Sequence, residues 1–293
     1  MVTEAALVGK TPRQALELVR RQLMDADCPD AAYDARQLLE MAAQGDPRLR
    51  EEPLDQEEAA RLAELVQKRA ERCPLQYLAG QWPFLDFTLR VGPGVLIPRA
   101  DTEVVCEAAA KTLAGVSQPQ VLDLCAGSGA LGLGIKRLVP SAAVTALEKS
   151  PEAMGYLRQN AANALPGFSE SSPAVRPVLG DVFLYQQELT PGALDLIVSN
   201  PPYLTNAEMQ VLQPEVRFEP AMALEAGDDG LDFYRHIAEN YPKALRSGGW
   251  LVLEIGWQQA DAVQALLRQN GWQQVQVQKD YGGNDRAVSA KAP

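Results

Sequence analysis

The sequence predicts an α/β fold, a doubly wound and mainly parallel sheet joined through a β-hairpin to a small N-terminal helical bundle. Three observations carry this expectation. From Val121 onward, short apolar runs alternate with helix-like stretches, the pattern of strands that each need a crossover to stay parallel. A glycine-rich turn, Asp123-Leu124-Cys125-Ala126-Gly127-Ser128-Gly129, follows the first of those runs, where such sheets enter their first helix. Before residue 80, apolar residues recur only at helical spacing behind good cap signals.

Thr11-Pro12-Arg13-Gln14 fits a capping box with proline at the first helical position, and Leu16, Val19 and Leu23 follow on one face. Asp30 opens a second helix carrying Ala35, Leu38, Leu39 and Ala42. Asp55 with Glu58 opens a third through Leu62, Leu65 and Val66. The resulting stripe buries either against itself or against a partner. Trp82, Phe84, Phe87, Leu89 and Val91 then alternate up to Gly92-Pro93-Gly94, which reads as a hairpin linker over residues 81–98. Asp101 is expected to cap a helix through Val104, Val105 and Ala108. Strands are expected at Val121–Leu124, Val144–Leu147, Val175–Leu179, Leu194–Ser199 and Trp250–Ile255, with helices such as Pro151–Leu165 and Leu231–Leu245 between most of them. Ser169–Pro173 reads as an exposed loop. Trp250, Trp257 and Trp272 are expected to pack the C-terminal half of the sheet, and His236, among Phe233, Tyr234 and Ile237, reads as a packed or surface side chain rather than a base.

A chain of 293 residues invites two domains, and 46% hydrophobic with 22% charged residues suffices for real cores. A formal charge of -11 argues against affinity built on neutralising phosphates, so naked nucleic acid is a poor partner. Cys28, Cys73, Cys106 and Cys125 show no CxxC spacing and His236 is the sole histidine, a reduced pattern without a zinc site. The N-terminal apolar stretch is too brief for a signal sequence and no run reaches membrane-spanning length, so a cytoplasmic protein is expected.

Ligands of such sheets bind beyond the strands' carboxyl ends. Gly127, Gly129 and Gly132 satisfy GxGxxG, and Glu148 ends the next strand, features a dinucleotide site would share. Asp123 favours another ligand, because a carboxylate there repels a pyrophosphate but pairs with a cation. S-adenosylmethionine is cationic at sulfur and amine. Glu148 would take its ribose hydroxyls, and Asp181 with Val182, after the third strand, its adenine.

The fourth strand delivers Asn200-Pro201-Pro202-Tyr203 to the same edge. A carboxamide or aryl-amine nitrogen shares its lone pair with a π system and is a poor nucleophile. If the Asn200 side-chain carbonyl and the Pro201 backbone carbonyl each accept one N–H, they favour the positive charge that grows on nitrogen. Two prolines fix φ and hold those carbonyls outward, and Tyr203 can stack on a flat group. This set points to methyl transfer from S-adenosylmethionine to a planar nitrogen.

The chain resembles, over nearly its whole length, the protein-(glutamine-N5) methyltransferases that modify class 1 peptide-chain release factors. Besides Asn200–Tyr203, the likeness rests on Leu96-Ile97-Pro98-Arg99-Ala100-Asp101-Thr102-Glu103, Val216-Arg217-Phe218-Glu219-Pro220, Asp229-Gly230-Leu231-Asp232 and the helical N-terminal region. It implies a class I S-adenosylmethionine-dependent fold, with a helical substrate-recognition domain over 1–80 and a methyltransferase domain over 99–293. The implied acceptor is the glutamine of a Gly-Gly-Gln loop, its amide held between Asn200 and Tyr203. The implied cofactor contacts are Cys125, Ala126, Gly127, Ser128, Gly129, Glu148, Val182 and Asn200. A monomer with a protein substrate is expected.

Family members usually carry glycine-threonine where Cys125-Ala126 stand and proline where Ala100 stands. Cys125 and Ala126 act mainly through backbone, so binding is expected to survive; Ala100 is expected to loosen the segment over the cofactor. Arg99 is either a salt-bridge partner or a cofactor contact, and Glu254 either a satisfied strand residue or part of the pocket. Asn-Pro-Pro-Tyr alone is shared with adenine-N6 DNA and guanine-N2 RNA methyltransferases, which leaves nucleic-acid amino methylation as an alternative. A non-catalytic module that docks a translation factor is a third.

Overall fold

The computed structural model describes residues 1–43, 47 and 50–293. It divides into a helical unit, Met1–Gly80 with Gln213–Phe218, and a sheet unit, Gln81–Leu212 with Glu219–Pro293.

The helical unit comprises α1 (Glu4–Leu7), α2 (Pro12–Asp25), α3 (Ala31–Ala42), α4 (Gln56–Ala70) and α5 (Leu75–Ala79). Two reciprocal capping boxes start α2 and α4. Gln14 N–H donates to Thr11 Oγ1 at 3.4 Å while Thr11 N–H donates to Gln14 Oε1 at 3.0 Å, and Asp55 and Glu58 repeat the exchange at 2.8 and 3.1 Å. Asp30 stands at the start of α3 but makes no side-chain cap bond. The apolar faces meet internally, with Leu7, Val19, Leu23, Leu38 and Leu62 fully buried. Arg69, also buried, binds Asp34 at 2.7 Å and Glu215 at 3.0 Å, and Arg72 grips both oxygens of Glu215 at 2.7 Å. Those pairs hold Gln213–Phe218 to the bundle, although the segment lies within the methyltransferase domain that the resemblance implies over 99–293.

The sheet unit begins with a hairpin, β1 (Gln81–Phe84) and β2 (Phe87–Arg90). It continues through α6 (Asp101–Thr112), β3 (Gln120–Leu124), α7 (Ala130–Leu138), β4 (Ala143–Glu148), α8 (Pro151–Asn163), β5 (Arg176–Leu179), α9 (Val182–Tyr185), β6 (Leu194–Ser199) and α10 (Asn206–Gln210). It ends with α11 (Asp232–Asn240), β7 (Leu245–Glu254), α12 (Ala260–Gln269), β8 (Gln273–Lys279) and β9 (Asp285–Lys291).

The seven-stranded sheet has the order β5-β4-β3-β6-β7-β9-β8, with β3 to β7 parallel and the last two strands antiparallel. One core on each face explains why β3 and β6 read as nearly continuous apolar runs. The hairpin's Phe84 and Phe87 belong to the first core, against Val105, Cys106 and Leu133. The chain leaves β3 toward β4 on one side and fills β6 on the other, so the switch point, and the crevice it opens, lies between β3 and β6. Leu124 pairs with both Leu147 and Ser199, which aligns the glycine turn, Glu148 and Asn200 along one edge.

Three expectations change. Asp101 is the first helical residue of α6, not its cap; Ala100 already has helical angles, and the Asp101 carboxylate lies 3.3 Å from Arg286. The expected helix Leu231–Leu245 stops at Asn240, where Tyr241-Pro242 turns the chain toward β7. Trp272 is buried, its indole N–H donating to Ala238 C=O at 3.0 Å, and Trp250 packs against the first core, but Trp257 is 60% exposed in the turn after β7.

Candidate active site

A cavity of about 270 Å³ opens at the carboxyl edge of β3, β4, β5 and β6, wholly within the sheet unit. The turn after β3 forms its floor. Cys125, Gly127 and Gly129 have φ of 59°, 56° and 88°. Such angles favour glycine, which gives a backbone reason for the glycine usual in the family at position 125. A Cβ on Gly129 would sit 2.7 Å from Leu157, and one on Gly132 would crowd Asp123 and Val144 at 3.0 and 3.3 Å. The turn is therefore wedged between α7, α8 and the sheet, with little freedom to open.

Of the four carboxylates that line this cavity, Asp123, Glu148 and Asp181 stand at strand ends in different states, and Glu225 is the fourth. Asp123 is fully buried; Oδ2 accepts from Gly132 N–H at 2.9 Å, and Oδ1 has no hydrogen-bond partner among the described residues. Burial, with the Glu148 charge adding, pushes its carboxyl up to about 8 against the lowering effect of the Gly132 amide. Glu148 accepts from Gly127 N–H at 2.8 Å and Ser150 N–H at 2.7 Å, so it ties the turn to β4 with lone pairs to spare. Asp181 accepts from Phe183 N–H at 2.9 Å and pairs with Lys149 at 2.8 Å. Burial resists ionisation of Asp181, but the Lys149 ammonium and the Phe183 amide outweigh it and hold the carboxyl below its ordinary range.

On the other side, Ser199 Oγ–H donates to Leu124 C=O at 2.7 Å and locks β6 to β3. Asn200 lines the cavity, and its side-chain amide makes no hydrogen bond among the described residues. Pro202 lines the cavity too; Pro201 is buried and Tyr203 half-buried, and neither borders it. The Tyr203 backbone is held at both ends, N–H to Leu224 C=O at 3.1 Å and C=O from Gln259 Nε2 at 3.0 Å. Burial pushes the Tyr203 phenol up to about 12, the Glu254 charge adding to it.

The edge thus gathers Asp123, Cys125, Ala126, Gly127, Ser128, Glu148, Asp181, Val182, Asn200 and Pro202 around one space, with Gly129 behind the turn. Gln259, which composition did not single out, also bonds Gly230 C=O at 3.3 Å and Gly256 N–H at 3.0 Å, and so braces the turn after Asn200. A Cβ on Gly230 would lie 2.4 Å from Tyr203 O, which accounts for the glycine of Asp229-Gly230-Leu231. Glu254 stands behind the wall: it is buried, accepts from Thr102 Oγ1–H at 2.6 Å, and is pushed up to about 7 by burial. His236 packs its ring against Phe183 at 4.7 Å and is held below its ordinary value by burial.

The donor set fits S-adenosylmethionine. An unbonded, buried carboxylate oxygen suits an ammonium or sulfonium, and an anchored glutamate at a strand end suits a pair of hydroxyls. The parallel sheet, its switch-point cavity and this acidic lining define a class I S-adenosylmethionine-dependent methyltransferase. The fold is shared with the hMettl16 catalytic domain solved in complex with a MAT2A 3'UTR hairpin, at a TM-score of 0.56 and 15% identity over 78% of this chain and 82% of that one.

Residues 14–80 match the PrmC N-terminal domain and residues 101–222 the methyltransferase small domain. Release factor glutamine methyltransferase of Geobacter sulfurreducens is 37% identical over 96% of this chain and 96% of its own. That of Deinococcus radiodurans is 38% identical over 95% and 98%. A solved release-factor-specific protein-(glutamine-N5) methyltransferase from Alicyclobacillus acidocaldarius shares 29% identity over 69% of this chain and 98% of that one, with a TM-score of 0.42. The chain belongs to the release factor glutamine methyltransferase family.

Proposed function

We propose that the protein transfers the methyl group of S-adenosylmethionine to the side-chain nitrogen of the glutamine in the Gly-Gly-Gln loop of class 1 release factors, in the cytoplasm. Family membership supports the reaction, and the match to the PrmC N-terminal domain supports a role for the helical unit in recognising the release factor. The observation that carries the site assignment is the free Asn200 amide on the same cavity as the unbonded Asp123 oxygen.

Asp123 holds the cationic end of the cofactor, Glu148 the ribose, and Asp181 with Val182 the adenine side; the turn Cys125–Gly129 supplies backbone. When bound, the cofactor supplies an electrophilic methyl group. Asn200 Oδ1 and the Pro201 carbonyl each accept one N–H of the glutamine, which localises the nitrogen lone pair and stabilises the positive charge that develops there. Each such contact contributes about 3 kcal/mol by analogy with oxyanion donors. Pro202 limits the motion of those acceptors, and Tyr203 offers its ring to the carboxamide plane.

The test is label transfer from S-adenosylmethionine to a purified release factor, with the modified residue mapped by mass spectrometry. Label is expected on the Gly-Gly-Gln glutamine, and a label confined to other residues or absent rejects the proposal. Asn200→Ala is expected to lower kcat by about 10²-fold while cofactor affinity stays within a small factor. Undiminished turnover in that variant removes Asn200 from the reaction.

A further inference from the structure

The cavity is covered by two stretches far apart in sequence. Leu96, Pro98 and Arg99 from one stretch and Pro220, Met222 and Ala223 from the other both line it. One buried side chain joins them. Glu219, 5% exposed, accepts from Ile97 N–H at 2.9 Å through Oε2 and from the Arg99 guanidinium through Oε1. Ile97 itself is buried, whereas Arg99 is about a third exposed at the cavity's border. Both bonds are charge-assisted, and an interaction of that kind shielded from water is stronger than a surface ion pair. Two adjoining prolines, Pro98 and Pro220, stiffen each stretch beside the junction. A single carboxylate therefore sets the spacing of the two walls.

We propose that Glu219 is a positioning residue that clamps Ile97–Arg99 to Pro220–Ala223 and thereby governs closure of the cavity around the methyl donor. The inference rests on the cofactor-site reading above. Its consequence is specific: the clamp controls how tightly the cofactor and its product are retained, and touches neither reacting atom. Arg99 acts through Glu219, so the contribution of Arg99 disappears once Glu219 is gone, whereas Glu219 keeps its bond from Ile97 N–H when Arg99 is replaced.

The experiment measures dissociation of S-adenosylhomocysteine from the full chain for wild type, Glu219→Gln, Arg99→Gln and the double variant, with Glu148→Ala as a control for the site. Loss of a hydrogen bond to a charged group corresponds to roughly tenfold or more. Glu219→Gln is expected to speed dissociation about tenfold, Arg99→Gln by less, and the double variant no further than Glu219→Gln. In the ligand-free protein, amide exchange at Ile97 is expected to quicken in Glu219→Gln and Glu219→Ala, a readout independent of catalysis. If Glu219→Gln does not fold, Arg99→Gln with the same exchange measurement decides the matter. Dissociation rates like wild type in folded variants, or additive effects in the double variant, overturn the clamp. Unchanged binding in Glu148→Ala instead overturns the location of the cofactor site, so the two failures are distinguishable.

Discussion

Asp123 shows at the scale of one residue how a ligand site is left unfinished by folding. Its two oxygens are unequal: one accepts from Gly132 N–H, the other has no partner among the described residues, and the side chain is fully buried. Burial that raises a carboxyl to about 8, against an unfolded value of about 3.9, makes the native state bind more protons than the unfolded chain between those values. Stability from this group is therefore present below about pH 4 and declines as pH rises to about 8, by at most about 1.4 kcal/mol per unit. Glu254, pushed up to about 7, adds a slope of the same sign. Thermal melts of the ligand-free protein are expected to fall between about pH 5 and 8, and Asp123→Asn to flatten that fall. S-adenosylmethionine supplies the missing cation, so its affinity is expected to rise over the same interval in wild type and not in Asp123→Asn. Equal slopes in the two proteins would show that Asp123 is not the titrating group.

At the scale of elements, two turns carry opposite lessons about substitution. Asp55 exchanges hydrogen bonds with the buried Glu58 at the start of α4, a cap whose loss costs about 1 kcal/mol. Asp55→Ala is expected to lower the unfolding free energy measured in urea by that amount, with cofactor binding unaltered. Gly230, with φ of 72°, has no room for a Cβ against the Tyr203 carbonyl at 2.4 Å. Gly230→Ala combines backbone strain with displacement of Asn200–Tyr203 and is expected to cost about 2 kcal/mol or more and to depress kcat as well. Retained activity with a stability loss alone would separate Gly230 from the site. These elements also mark what a sequence can disclose. Capping boxes and strand-end motifs are legible because donor and acceptor lie within a few residues. Tyr203, Ile97 and Arg286, which Gln259, Glu219 and Asp101 bind, lie 56, 122 and 185 positions from them, respectively, and no local pattern announces these contacts. The antiparallel pair β8 and β9 was likewise missed, because Gln273–Lys279 is rich in glutamine and exposes much of one edge. The turns after β3 and β6 were readable as a pair because parallel topology requires both to end at one edge, whichever residues pack behind them.

For the molecule as a whole, the excess of 38 acidic over 27 basic residues matters through its field rather than through any single pair. Like charges at that density keep the chain soluble and disfavour polyanions, and they draw a basic protein partner toward productive encounter. For a release factor that presents basic surface, the association rate is expected to fall several-fold between about 50 and 300 mM salt as the screening length shortens. S-adenosylmethionine carries one net positive charge, and its association is expected to change far less over the same range because the product of interacting charges is smaller. Stopped-flow measurements of both association rates supply the comparison. A salt-insensitive rate for the release factor would place recognition in short-range contacts alone. A rate that rose with salt would mean that like charges face each other during encounter, and would count against attraction by the net negative charge.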